Sequence, residues 1–331
     1  MSINFTENDI RPKDMFDEYL VLAEKDVKTF FSDVPYYKVV CPACGNEGKP
    51  VISKKGFTYD KCDNCETLYV NPRPVKEAFD NYYRDSPSTE FWANKFYKIT
   101  EDARREKLWK PKAKLVKALV ENATAGMAKV DYIIDIGGGY GIFAEEFSKI
   151  SDISPIIIEP SVHLAQASRE KGLKVIEKFI EDINAEDLPE GCKCFVSFEL
   201  FEHLHDPELF LNRVYSVMAK GDVFIFTTLS GTGVDIQVLG EHSKSVSPPH
   251  HLNFFNPKSV VLLAEKVGFA NTKVVTPGKL DIDIMMNNQQ YIRDVFWKSF
   301  LKNANSEDLI TMQEAIQNLG ISSHMMATLI K

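Results

Sequence analysis

The sequence predicts an α/β protein: a mostly parallel sheet with helices on both faces, preceded by an N-terminal helix and a small metal-stapled ribbon. Three observations carry this. From Val130 onward, short apolar runs alternate with helical periodicity, the pattern of parallel strands buried on both sides. The first of these runs opens into a glycine-rich turn, Asp135-Ile-Gly137-Gly-Gly139-Tyr-Gly141. Upstream, four cysteines form two C-x-x-C pairs, Cys41/Cys44 and Cys62/Cys65, with seventeen residues between them.

Composition sets the frame. The chain has 331 residues, 44% hydrophobic and 26% charged, which suits a globular protein of about two domains and excludes a disordered or collagen-like chain. Forty-seven acids against 39 bases give a net charge of −8, so on average the surface repels phosphate backbones. No apolar run approaches the ~18 residues of a membrane span. The opening residues, MSINFTENDI, lack the basic and apolar regions of a secretory signal. The expectation is a cytoplasmic protein with reduced thiols.

The cysteine spacing is that of a four-thiolate zinc site. Each C-x-x-C turn aims two sulfurs at one centre, and Gly45 permits the tight turn after the first pair. Between the pairs, Val51 to Asp60 reads as a hairpin turning at Lys55-Gly56. Four thiolates leave no open coordination position, so the metal is expected to be structural. Cys192 and Cys194 are expected to alternate along a strand and pack into the core.

The organisation along the chain follows. Residues 1–38 form a helical arm with an amphipathic helix from Lys13 to Phe31. The ribbon occupies 39–74, ending in the rigid connector Asn71-Pro72-Arg73-Pro74. Residues 75–129 are a helical connector or cap, closing in a small-residue linker from Asn122 to Lys129. The domain 130–331 should hold strands at 131–136, 155–159, 173–176, 193–198, 222–228 and 271–276. A helical insertion is expected at about 281–320, and a final strand from His324 to Ile330.

The glycine turn lies where α/β sheets bind ligands. A lax G-x-G-x-x-A match, Gly139-Gly141-Ala144, brings nicotinamide dinucleotides into consideration. Asp135 argues against them, because a carboxylate at the strand tip opposes a pyrophosphate. S-adenosylmethionine (SAM) has no phosphate and carries an ammonium, a carboxylate and a sulfonium. Glu159, ending the second strand, could accept hydrogen bonds from ribose hydroxyls in either cofactor.

Taken together, Asp-Ile-Gly-Gly-Gly-Tyr-Gly, Ile-Ile-Glu-Pro and Phe-Glu-Leu-Phe-Glu-His-Leu-His-Asp-Pro at 198–207 resemble the class I SAM-dependent methyltransferase family over roughly 130–276. The cysteine pairs with Val-Asn-Pro-Arg-Pro resemble a subgroup with an N-terminal zinc ribbon, some members of which modify sugars or polysaccharide precursors. The resemblance implies a Rossmann-like fold with a seven-stranded sheet. It implies that Gly137, Gly139 and Gly141 admit the methionine part of SAM, and that Glu159 holds the ribose. Asp182, with Glu181 as neighbour, would reach the adenine amine, and Phe198 and Glu199 would close the site. One departure is Lys220-Gly221-Asp222, where relatives usually show a second glycine.

Methyl transfer is an in-line displacement in which the protein orients the acceptor and often removes its proton. Histidine suits that task near neutral pH. His203 lies just past the fourth strand. His250 and His251 lie in Ser-Pro-Pro-His-His, after the fifth, and His251 is the favoured base. Asp281 and Asp283 read as helix-start acids. The aromatic and basic stretch Phe91–Lys117, with Trp92, Arg104, Arg105 and Trp109, reads chiefly as a packing helix that could also cover an acceptor. The leading expectation is a methyltransferase acting on a small acceptor such as a nucleotide-linked sugar. The alternatives are a zinc-ribbon RNA methyltransferase, a nicotinamide-dependent oxidoreductase and a non-enzymatic SAM-binding protein.

Overall fold

A computed structural model describes residues 5–123 and 129–331. The extreme N-terminus and most of the expected Asn122–Lys129 linker lie outside the described residues. The chain divides into two compact units. One gathers the residues up to Ala103 with Leu229–Ser259 and Val275–Met325; the other comprises Arg104–Thr228, Val260–Val274 and Met326–Lys331.

The second unit is organised on a seven-stranded sheet. Its strands are β1 (Tyr132–Ile136), β2 (Ser154–Ile158), β3 (Lys174–Ile176), β4 (Lys193–Phe198), β5 (Val223–Leu229), β6 (Asn271–Val275) and β7 (His324–Ile330). Their spatial order is β3-β2-β1-β4-β5-β7-β6. The pairs β2–β3, β1–β2, β1–β4 and β4–β5 are parallel. Winding proceeds outward from β1 in one direction and from β4 in the other. The carboxyl ends of β1 and β4 therefore flank the switch point at which open α/β sheets bind ligands.

Both sheet faces are covered, because strand side chains alternate. On one face Ile133, Val196 and Ile225 pack against Val116, Phe143 and Phe147 of helices Lys110–Ala123 and Ile142–Ser148. On the other, Phe224 and Phe226 meet Phe210 of helix Pro207–Val217 and Phe201. At the departure noted before β5, Gly221 adopts a left-handed φ of 92°. Asp222 is buried there and accepts the backbone N–H groups of Lys193 and Ala219 at 2.9 and 2.8 Å. One expectation is corrected: β4 begins at Lys193, so Cys192 lies just before the strand, partly exposed, while Cys194 is buried in it.

In the first unit a short helical turn, Glu7–Ile10, precedes the helix Lys13–Phe31, which lies at the predicted residues. The ribbon hairpin pairs Gly48–Lys54 with Phe57–Cys62 and turns at Lys55-Gly56, both left-handed (φ 48° and 81°). Leu68–Val70 adds a third strand. A fourth, absent from the sequence expectation, comes from Asn253–Phe254, which pairs antiparallel with Tyr69 and Leu68. Phe31, Phe57, Tyr59, Leu68, Phe79 and Phe254 form the core beneath. A two-stranded pairing of Tyr36–Tyr37 with Arg73–Pro74 completes the sheets. The connector is helical as expected but interrupted by π-helical turns at Trp92–Phe96 and Arg105–Trp109. The insertion comprises three helices, Asp281–Asn287, Val295–Asn303 and Ser306–Asn318. They share a core with Val234 and Leu239.

Asp281 does begin a helix, yet it is buried and ties the insertion down. It accepts Gln313 Nε2 at 2.8 Å, Ser322 Oγ at 2.7 Å and the Ser323 N–H at 2.7 Å. Asp235 is fully buried and lies beside the equally buried Asp281. Burial and the Asp281 charge push it up to about 7 from an ordinary 3.8. Folding therefore holds a proton that the unfolded chain has released, and stability falls as pH rises from about 4 to 7. Asp235→Asn removes that loss. Its melting temperature should match the wild type near pH 4 and exceed it above pH 7.5, by roughly 2–4 kcal/mol of stability at ~1.4 kcal/mol per pKa unit. A shift of the same size at both pH values would disprove the charge explanation.

Candidate active site

At the switch point, β1 delivers Asp135 and then the glycine turn. Asp135 is 2% exposed, and its Oδ2 has no hydrogen-bond partner among the described residues. Burial, then the neighbouring Glu159 charge, push it up to about 7, against a pull from Lys112. Gly137, Gly139 and Gly141 all take left-handed φ values, 72°, 55° and 69°, which glycine adopts without strain. Gly138, which the sequence reading passed over, is the tightest fit to Asp135. A Cβ there would stand 2.8 Å from Asp135 Oδ2 and 2.8 Å from Ile157 Cγ2. A Cβ added at Gly139 would meet no atom within 4 Å, so that part of the turn presents bare backbone.

Glu159 follows β2 and is held by the turn itself. Its Oε2 accepts the Gly139 N–H and its Oε1 the Ser161 N–H, each at 3.0 Å. Each oxygen keeps a lone pair for another donor. Burial raises its pKa, opposed by these two backbone donors. Ser168 Oγ donates to the Gly139 carbonyl and Lys171 Nζ to that of Tyr140, fixing the turn from behind. Asp182 ends the short 3-10 turn Ile180–Asp182 and is exposed, as is Glu181.

Phe198 closes β4, buried against Phe143 and Trp109 with ring centroids 4.6 and 6.1 Å apart. Glu199 follows with an uncommon positive φ of 55° and accepts Thr227 Oγ1 at 2.8 Å. Glu202 is buried, accepts Thr228 Oγ1 at 2.8 Å, and is pushed up to about 8 by burial and the Glu199 charge. His203 ends the adjacent 3-10 turn, a ring nitrogen within 4.8 Å of a Glu202 oxygen. Lys112, also missed by the sequence reading, reaches the same strand tips from helix Lys110–Ala123, 3.2 Å from Glu199 Oε1. Arg105 is engaged in ion pairs with Glu146 and Glu145 at 2.6 and 2.9 Å.

The remaining candidates belong to the first unit. His250 Nε2 lies 2.7 Å from the hydroxyl of the fully buried Tyr82, which also meets Ser88 Oγ at 3.0 Å. His251 Nδ1 lies 2.5 Å from the Ser245 carbonyl. A carbonyl only accepts, so Nδ1 carries the proton and Nε2 is the basic nitrogen of the neutral ring. The ribbon anchors this loop. Tyr59 Oη donates to the His251 carbonyl at 2.8 Å, the Val70 N–H to that of Leu252 at 2.9 Å, and Arg73 Nη2 to Asn253 Oδ1 at 2.7 Å.

The four ribbon cysteines come together. Cys41 and Cys65 sulfurs are 3.5 Å apart, as are those of Cys44 and Cys62, and all four lie within 4.8 Å of one another. Four sulfurs at ~2.3 Å from one tetrahedral centre would be ~3.8 Å apart, so the set has the dimensions of a zinc site. The two knuckles match. Gly45 and Glu66, each following a second cysteine, are both left-handed, and their N–H groups return to the carbonyls of Cys41 and Cys62.

Residues 101–274, just over half of the chain, match the family model described as a methyltransferase domain. No curated protein matches. Among solved structures, the fold is similar to the plantazolicin methyltransferase BamL in complex with a triazolic desmethylPZN analog and S-adenosylhomocysteine (SAH). That match has 13% identity and a TM-score of 0.47, and covers 73% of this chain and 93% of that one. A possible histamine N-methyltransferase from Thermotoga maritima shows 20% identity and a TM-score of 0.43, covering 71% and 97%. A SAM-dependent methyltransferase from Archaeoglobus fulgidus shows 17% and 0.44, covering 66% and 94%. Among the described residues, no helix is long and apolar enough to cross a membrane.

Proposed function

The chain belongs to the methyltransferase-domain family, and on that premise we infer that it transfers the methyl group of SAM to a small-molecule acceptor. The observation that carries the donor assignment is Asp135: a buried carboxylate with one oxygen that has no partner among the described residues, beside bare glycine backbone. A second acid, Glu159, stands behind it. Such a site repels a diphosphate and suits an ammonium. Asp135 would take the donor's amino group, Gly137, Gly139 and Gly141 its methionine backbone, and Glu159 the ribose. Phe198 and Glu199 would close the site. Asp182 would meet the adenine from its exposed turn.

SAM supplies an electrophilic methyl on a sulfonium. The protein orients the acceptor and takes up its proton. We assign that uptake to Nε2 of His251, whose other nitrogen is fixed by the Ser245 carbonyl. His203 and His250 are orienting residues. The acceptor we favour is a nucleotide-linked sugar or related precursor. Support comes from the resemblance to the zinc-ribbon subgroup and from a charge of −8, which disfavours a polyanionic polymer. The ribbon (39–74) would hold one structural zinc. We also propose the arm (1–38), connector (75–129) and domain 130–331 as the functional divisions.

Labelled methyl transfer from SAM into fractionated metabolites, with mass identification of the product, tests the reading. Calorimetry should register SAM and SAH but not NADH. His251→Ala should lower turnover at least a hundredfold, within the ~10²–10⁴ range of a general base, and leave SAM affinity within threefold. Unchanged turnover would remove His251 from the mechanism. Label found in RNA would redirect the acceptor assignment.

A further inference from the structure

The donor's charges pose a problem that the site residues named so far do not solve. Asp135, Glu159, Glu199 and Glu202 all stand at or just past the tips of β1, β2 and β4, and SAM carries an α-carboxylate as well as an ammonium. That carboxylate needs a cation or hydrogen-bond donors within this acidic rim.

A cation reaches the rim. Lys112 extends from helix Lys110–Ala123 with its side chain 13% exposed, stacked over two rings, 4.7 Å from the Phe198 centroid and 5.0 Å from that of Trp109. Its Nζ lies 3.2 Å from Glu199 Oε1 and 3.3 Å from Thr227 Oγ1. Both distances exceed the ~2.7–2.9 Å of a tight charge-assisted bond. The ammonium is therefore shared among two aromatic rings, the Glu199 carboxylate and the Thr227 hydroxyl, with both polar contacts longer than a tight ion pair. One turn earlier, Trp109 Nε1 is buried and has no hydrogen-bond partner among the described residues. Buried indole N–H groups usually find one. Trp109 closes the π-helical turn Arg105–Trp109, a type of irregularity that recurs at functional sites.

We propose that Lys112, with the indole N–H of Trp109 as second donor, seats the α-carboxylate of the methyl donor. The inference rests on the SAM reading above and adds to it a two-point reading of the amino-acid end: Asp135 for the ammonium, Lys112 for the carboxylate. The pull that Lys112 exerts on Asp135 toward ionisation fits this pairing.

The test is a cycle between protein and ligand, comparing SAM with decarboxylated SAM by calorimetry on the full chain. Wild type should bind SAM at least tenfold more tightly than the decarboxylated form. Lys112→Met should weaken SAM at least tenfold and leave the decarboxylated form within twofold, closing the gap. Trp109→Phe, which keeps the ring, should narrow it about threefold, and Lys112→Arg should largely preserve it. Equal losses for both ligands in Lys112→Met, or a wild type that does not distinguish them, would overturn the carboxylate seat while leaving the SAM site standing. A wild type that binds neither ligand would overturn the donor assignment and this inference with it.

Discussion

Asp135→Asn should weaken SAM binding at least tenfold, about 1.4 kcal/mol or more, and at the same time make the ligand-free protein more stable at pH 8. The two effects have one cause. Burial, with the Glu159 charge, raises the Asp135 pKa to about 7 from 3.8. Between about pH 4 and 7 the folded protein keeps a proton that the unfolded chain has lost, so stability declines across that window and stays low above it. Asparagine has nothing to ionise. Its gain should be negligible near pH 4 and complete above pH 7, at most about 4 kcal/mol at ~1.4 kcal/mol per pKa unit. Binding runs the other way. An incoming ammonium stabilises the charged carboxylate, so wild-type affinity for SAM should climb as pH rises toward 7 and level off beyond it, with a proton released on binding below that point. The variant should show a flat profile. Calorimetry in buffers of different ionisation enthalpy measures the proton directly. A variant that binds SAM as well as the wild type would remove Asp135 from the donor site.

Withdrawal of zinc should be the second large effect, and it should reach further than the ribbon. We expect one tightly held zinc per chain. In isolated zinc fingers such sites contribute ~10 kcal/mol or more to folding. Here Phe57, Tyr59, Leu68 and Val70 also sit in a core with Phe31 and Phe79, so chelation should loosen the region without unfolding the whole chain. Backbone amides between Cys41 and Thr67 should exchange first. The Pro-Pro-His-His loop should follow, because Tyr59, Val70 and Arg73 hold the His251, Leu252 and Asn253 positions. Turnover should therefore fall with the metal, while SAM affinity, which we assign to residues at the ends of β1, β2 and β4, should stay within about twofold. Freshly purified protein containing no zinc would refute the site, and a parallel loss of SAM binding would refute the separation. Cys62→Ser should reproduce chelation.

The parts of this molecule that were legible in its sequence are those set by local pattern. The helix Lys13–Phe31 and the strand His324–Ile330 occur at the predicted residues, since apolar spacing and flanking turn residues mark their ends. The Lys55-Gly56 turn and the glycine turn after β1 were equally readable, because left-handed backbone selects glycine. What stayed hidden depends on residues far apart in the chain. Asn253–Phe254 is too short to announce itself as a strand and exists by pairing with Leu68 and Tyr69. Gly138 is constrained by Ile157 as well as Asp135. Lys112 resembles any solvated helix lysine until its neighbours Phe198, Glu199 and Thr227 arrive from other strands. Asp235 looks like an ordinary helix-start acid, and its burial beside Asp281 has no local signature.

The late arrival of that fourth ribbon strand has a consequence for biosynthesis. Arg73 and its partner Asn253 are 180 residues apart. At translation speeds of ~5–20 residues per second, the edge formed by Leu68–Val70 waits on the order of ten seconds or more on the ribosome before its neighbour emerges. An open strand edge is a template for wrong pairing. Early metal capture by the nascent knuckles, or a chaperone resting on that edge, would bridge the interval, so zinc-starved cells should accumulate aggregated rather than merely inactive protein.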